Sequence, residues 1–157
     1  ATLLVRAALL FGGWLLVYSL IIAPWGVPDA LLTGLVVKGT VALLSLFFTD
    51  AHAVGHDIVL NGVEAVSIAN SCNGLELIML YLGIIILMPQ SIKKMVLFIS
   101  CGFVVITVLN ILRCSALAYM FLHQMDLADF AHHYVFKIII YAVVFYGWVL
   151  YTKNTKA

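Results

Sequence analysis

Residues 95–122 read MVLFISCGFVVITVLNILRCSALAYMFL, with Arg113 as the sole charge in the run. The stretch is continuously apolar in the manner of a lipid-embedded helix and does not alternate like a barrel strand. Counted from Ser91, it is also too long for one ordinary span. Roughly 30 helical residues reach about 45 Å, against a hydrocarbon core of about 30 Å. The helix is therefore expected to bend or to emerge near its middle. Asn110 and Arg113, one turn apart on one face, fall about 20 residues after Lys93 and Lys94, near the far boundary of the bilayer.

The rest of the chain has the same character. Of its 157 residues, 65% are hydrophobic and 10% charged, and the mean hydropathy is +1.17, whereas soluble domains carry about 25% charged residues. Further apolar runs cover Leu3 to Ala23, Leu31 to Phe48, Leu75 to Met88 and Tyr134 to Tyr151. The expected fold is all-α, a polytopic transmembrane bundle of five to six helices forming one integral membrane domain over residues 1–157. The first run, with Arg6 near its start and no small-residue cleavage site, reads as a retained span. A net charge of +1 gives no electrostatic case for nucleic acid, and no polybasic run marks an anionic lipid surface.

One polar stretch, Thr49 to Asn73, interrupts this pattern. Within it DIVL and VEAVSI flank Asn61-Gly62, the signature of a β-hairpin, placed before the third span. Strands are expected nowhere else. Lys93, Lys94, Lys153 and Lys156 mark cytoplasmic segments, which puts the hairpin and residues 123–133 on the outer face. Arg6 also argues for an inside N-terminus, whereas five spans require an outside one; a re-entrant or interfacial segment around Leu31 to Lys38 would reconcile the two.

Three polar positions now share one depth on the outer side: Cys72 at the entry of the third span, Arg113 at the exit of the fourth, and His132 with His133 at the entry of the fifth. A cysteine in the first turn of a helix meets the positive macrodipole end and unpaired N–H groups, which favour negative charge there. Ser71 or Asn73 is the candidate cap, and Asn73 with Glu76 has the spacing of a capping-box variant. A guanidinium can donate hydrogen bonds to an oxyanion, and a histidine can move a proton near neutral pH. Together these residues describe thiol-based acyl transfer: Cys72 attacks a peptide carbonyl, Arg113 holds the oxyanion, and a histidine protonates the leaving amine. Neither a metal nor a cofactor is called for.

Each residue also has a plainer reading. Cys72 can be a small packing residue, Arg113 an interfacial snorkelling one, and the histidines interfacial polar groups pointing about 100° apart, so that at most one faces a common site. Cys101 and Cys114, inside apolar runs, read as core. His52 and His56 have i, i+4 spacing, but HAVGH lacks the glutamate of a metalloprotease motif and no third ligand is fixed. Glu76, one turn after Cys72, works against negative charge on the sulfur unless Arg113 or a histidine pairs with it. Other function classes use the same residues differently. A small membrane transport or ligand-binding subunit would hold an anion with Arg113, Glu76 and the histidines, and a structural membrane protein would use them only to tie helices together.

The motifs NSCNGLE, LNILRCSALAY and FAHHYVFKIIIYAVVF, in this order, resemble the exosortase/archaeosortase family of membrane transpeptidases, from about Asp57 to Trp148. The resemblance implies Cys72 as nucleophile, Arg113 and His132 (alternatively His133) as its catalytic partners, and Asn73, Gly74, Glu76 and Asn110 in support. His132 is preferred because Phe136 would fill the position one turn beyond it. The resemblance further implies a membrane-anchored partner whose C-terminal sorting signal (a short motif, an apolar helix and a basic tail) is cleaved, with transfer to a surface acceptor such as a lipid or glycan. The site would face outward from the cytoplasmic membrane of a prokaryote. Two departures stand out: Glu76 replaces the arginine or apolar residue of many members, and the chain is short, as in a minimal variant.

Overall fold

The computed structural model describes residues 2–69 and 72–153. Asn70, the candidate cap Ser71 and Lys156 lie outside them, as does the side chain of Arg6. Helix α1 (Thr2–Val17) continues through a π turn (Tyr18–Ile22) into α2 (Ala23–Trp25). Gly26, at φ 62°, ends that rod, a left-handed conformation that only glycine adopts freely. Helix α3 (Val27–Leu44) starts immediately, with Pro28 in the first turn, where its missing N–H leaves no bond unmade.

The polar stretch folds as a three-stranded antiparallel sheet of order β1-β2-β3: β1 (Ala51–Val54), β2 (Asp57–Leu60) and β3 (Val63–Ser67). The hairpin forms where it was expected, on Asn61 and Gly62 at φ 51° and 78°, the positive pair of a type I′ turn. Strand β1 is a correction, since AHAV was not read as a strand. It pairs with β2 in register Ala51↔Leu60 to Val54↔Asp57, and Gly55 at φ 66° makes the turn possible. A bulge opposite Ile58 and Val59 keeps Ala65 facing inward. Ile58, Leu60, Ala65 and Ile68 then pack on Val36, Val37 and Leu44 of α3 and on Cys114 and Ala118 further along.

Three helices complete the bundle: α4 (Leu75–Leu87), the long α5 (Ile92–Leu122), and α7 (Phe136–Thr152), which is reached through α6 (Ala128–Phe130) and a second π turn (Ala131–Val135). Helix α5 is uninterrupted; its 31 residues run for about 46 Å, and its last turns pack against the sheet. It serves as a ruler for the whole molecule. Near its start, Lys94 Nζ donates to the Tyr151 carbonyl at 2.6 Å, Gln90 Nε2 to the same oxygen at 2.9 Å, and the Tyr151 hydroxyl to Met88 at 2.9 Å. These bonds tie the α4–α5 turn to the end of α7 and define a lysine end opposite the sheet.

Helix α1 runs away from the lysine end, with Leu9 and Leu10 beside Ile86, Leu87 and Pro89 and Tyr18 bonded to Asp29. Helix α3 does not turn back. Leu32 packs in one core with Ile106, Gly39 abuts Ile111, and Val36 to Leu44 share the other core with Cys114 and Ala118. It therefore runs alongside the far half of α5, in the same direction. Among the described residues four helices are long and apolar enough to span a membrane, α3 among them, while α4 is shorter. By direction, however, α1, α4, α5 and α7 connect the two ends and α3 continues outward. That removes the conflict over Arg6: α1 begins at the same end as Lys94 and the end of α7.

Helices α4, α5 and α7 meet at Tyr81, which is buried, donates to the Phe98 carbonyl at 3.1 Å, and lies between Gly102 and Gly147. A Cβ on Gly102 would fall inside the Tyr81 ring. Gly102→Ala is expected to destabilise the fold by about 1–3 kcal/mol through overpacking. Gly12→Ala, with no atom within 4 Å of its Cβ, should leave stability unchanged. Thermal unfolding in detergent checks both.

Candidate active site

Cys72 sits in a tight 3-10 turn ahead of α4, whereas the sequence led one to expect it in that helix's first turn. Its N–H donates to the Ala69 carbonyl at 2.8 Å, and α4 begins three residues later at Leu75. Gly74 makes the connection at φ 87°, close enough to α5 that a Cβ there would lie 3.5 Å from Asn110 Nδ2. The expected capping box does not form among the described residues. Asn73 Oδ1 instead accepts from the Leu75 N–H at 2.9 Å, and Glu76 is exposed.

The loop is held from both sides. Asn110, fully buried on α5, donates through Nδ2 to the Cys72 carbonyl at 2.7 Å. Asn73, 1% exposed, donates to Asp29 Oδ1 at 2.8 Å and reaches Thr33 Oγ1 at 3.2 Å. One turn beyond Asn110, Arg113 is 9% exposed, and its Nε has no hydrogen-bond partner among the described residues. No acidic group among them forms an ion pair with it. A buried guanidinium left unpaired carries a large desolvation cost, and such sites are where function is sought first.

The histidines arrive on the second π turn, a local widening of the helix that is frequent at functional sites. His133 Nδ1 lies 2.9 Å from the Asp129 carbonyl, so it carries the proton there and Nε2 presents a lone pair in the neutral ring. His132 Nδ1 is buried and has no hydrogen-bond partner among the described residues. Their rings stand 80° apart with centroids at 5.0 Å.

Cys72, Asn73, Gly74, Glu76, Arg113, His132 and His133 line one cavity of about 390 Å³. Both histidines reach it, against the expectation that at most one would. Four polar lining residues were not foreseen: Tyr18, Asp29, Lys137 and Tyr141. Asp29 had a signal, an acid at the edge of an apolar run in a membrane chain, but GVPDA reads first as a turn. A second hollow, of about 320 Å³ between α1 and α4, is lined by Leu9, Leu10, Ile86, Leu87 and Pro89 and offers no reactive side chain. Cys114 is buried as expected, but Cys101 is exposed on the outside of α5. It sits on the apolar surface of a bundle helix, so apolar sequence there meant contact with lipid. His52 lies on β1 and bonds Asp50 at 3.0 Å, so the HAVGH pair is not a helical one. Among the described residues no group of three His, Cys, Asp or Glu could hold a metal.

A thiol, a buried cation and two imidazoles thus line one space from three separate elements, and groups of these types can serve as nucleophile, charge stabiliser and proton carrier. Searches of the curated proteins and of the solved structures found no match. The transmembrane exosortase family does match, over residues 2–152. With nearly the whole chain covered, this protein belongs to the transmembrane exosortase family.

Proposed function

We propose that the protein is a membrane cysteine transpeptidase or peptidase that cleaves C-terminal sorting signals of surface proteins at the extracytoplasmic face. The observation that carries this reading is the shared cavity of Cys72, Arg113 and His132. The Cys72 thiolate attacks the scissile carbonyl carbon, and the carbonyl π pair moves onto oxygen, where Arg113 donates hydrogen bonds. Collapse of the tetrahedral species breaks the C–N bond. His132 gives its proton to the departing amine, leaving a thioester on Cys72. An incoming nucleophile, water or an amine, then loses a proton to the same imidazole and releases the acyl group. His133, with Nδ1 held on Asp129, is the alternative proton carrier.

Sidedness follows from charge. Lys93 and Lys94 begin α5, and Lys153 follows α7; loops rich in Lys and Arg stay cytoplasmic. The cavity, some 16 to 19 residues along α5 from Lys94, then opens at the opposite boundary. A substrate with an apolar helix next to its scissile bond would bring that bond to Cys72 by diffusing in the membrane, which supplies much of the positioning.

The test is selective labelling. A charged, membrane-impermeant thiol reagent should modify Cys72, which is partly exposed in the cavity, and spare buried Cys114 and Cys101 on the apolar face. Intact mass with peptide mapping reads the result. Equal labelling at all three positions, or none at Cys72, counts against an activated thiolate.

A further inference from the structure

We propose that Asp29 is a positioning residue for Cys72, acting through Asn73; the inference rests on the cysteine chemistry above. Asp29 lies in the first turn of α3, 3% exposed. One carboxylate oxygen accepts from Asn73 Nδ2 at 2.8 Å and the other from the Tyr18 hydroxyl at 3.3 Å. Its own carbonyl accepts from Asn73 Nδ2 as well, at 3.3 Å.

The amide of Asn73 has one possible orientation in this setting. Its nitrogen faces a carboxylate oxygen and a carbonyl, which only accept, while its oxygen faces the Leu75 N–H, which only donates. The residue beside Cys72 is thereby locked to α3 on one side and to the start of α4 on the other. Asn110 fixes the Cys72 carbonyl from α5. Cys72, Asn73 and Gly74 precede the first residue of α4, and Gly74 has a left-handed φ. The direction in which Sγ leaves the loop is therefore set by these side chains, and Asp29 anchors the side that α5 does not reach.

Stability alone does not call for a carboxylate here. Only neutral groups bond it among the described residues, and an ionised carboxylate held by neutral donors is expensive to bury. A neutral amide could meet Asn73 with its oxygen and donate its nitrogen to the Tyr18 hydroxyl, which also accepts. The anion is a stronger acceptor than that amide, which matters when one hydrogen bond must hold a reacting atom in place. Misplacing such an atom by about 1 Å costs about 100-fold in rate.

The experiment compares the full-length parent, Cys72→Ala, Asp29→Ala, Asn73→Asp, and the exchange Asp29→Asn with Asn73→Asp. Processing of a co-expressed surface protein with a sorting signal is one readout. Alkylation of Cys72 by iodoacetamide, a small reagent with loose geometric demands, is the other. Asp29→Ala should lower processing by about 100-fold while alkylation stays within about threefold of the parent, a split that general unfolding would not produce. Asn73→Asp sets two carboxylates against each other and should also lose processing. The exchange restores a donor facing an acceptor for the closer, 2.8 Å bond and leaves only the backbone carbonyl at position 29, at 3.3 Å, opposed, so it should recover at least about tenfold of that loss. Should Asp29→Ala fail to fold, the exchange decides alone. Parent-like processing by Asp29→Ala, or an exchange no better than Asn73→Asp, overturns the proposal while Cys72→Ala stays inactive. If Cys72→Ala itself still processes, the cysteine chemistry fails and the positioning role falls with it.

Discussion

Cys72→Ala and Cys72→Ser are expected to abolish processing of a co-expressed surface protein while leaving the fold intact. The expected loss is at least about 1000-fold, because without the thiolate no covalent intermediate forms and the residual rate comes from binding and the oxyanion donor alone. Serine makes the sharper test. It keeps the size and the hydrogen-bonding capacity of the side chain, but its hydroxyl is far harder to ionise than a thiol, and among the described residues no carboxylate stands behind a histidine as in a serine triad: His133 Nδ1 meets a backbone carbonyl, and His132 Nδ1 meets no hydrogen-bond partner. Stability should hold, since Cys72 contributes its backbone carbonyl, not its sulfur, to the bond with Asn110. The measurement is the ratio of precursor to processed substrate on a gel, with unfolding temperature as control. Full processing by Cys72→Ser would remove the thiol from the mechanism, and retained ligand binding without any processing would favour a transport or binding role for the cavity.

Much of this site is legible in the linear chain, because a membrane protein has few polar residues and each must justify its desolvation. Counting residues from the lysines placed Arg113 and the histidines at the depth of Cys72, and the structure has all three lining one cavity. The Asn-Gly pair located the hairpin for a local reason, since both turn positions need positive φ. What the chain hides is non-local. Helix α3 has the length and hydropathy of a span, and only its packing on the half of α5 far from the lysines shows that it does not return. Strand β1 has no periodicity of its own and exists because β2 offers it an edge. Asp29 belongs to the site through contacts 44 residues away in sequence, a distance over which spacing carries no information. Cys101 failed for a different reason: in a bilayer, apolar sequence marks the lipid face as readily as the core. Glu76 turned out to be neither a cap nor an ion-pair partner of Arg113 among the described residues; it is an exposed acid on the rim of the cavity.

Arg113 should show activity and stability moving in opposite directions. The residue is 9% exposed, with an unbonded Nε and no ion pair among the described residues. Removing an unpaired buried charge relieves a desolvation cost of several kcal/mol. Arg113→Met, which keeps much of the length and adds no polar atom, is therefore expected to unfold at the same temperature as the parent or higher. Its processing rate should nevertheless fall by about 100- to 1000-fold, the usual cost of losing one oxyanion donor. Arg113→Lys separates charge from geometry. It retains a cation but replaces a planar fork by a single point that cannot reproduce two parallel donors, so at least about a tenfold loss should remain. A structural tie between helices predicts the reverse pattern, with lower stability in Arg113→Met and near-normal processing by whatever protein stays folded. An anion-transport cavity predicts that lysine substitutes well and that the Cys72 variants bind ligand normally. Measuring unfolding temperature and processing on the same two variants therefore distinguishes all three readings, and a stable, fully active Arg113→Met would remove the arginine from the catalytic set.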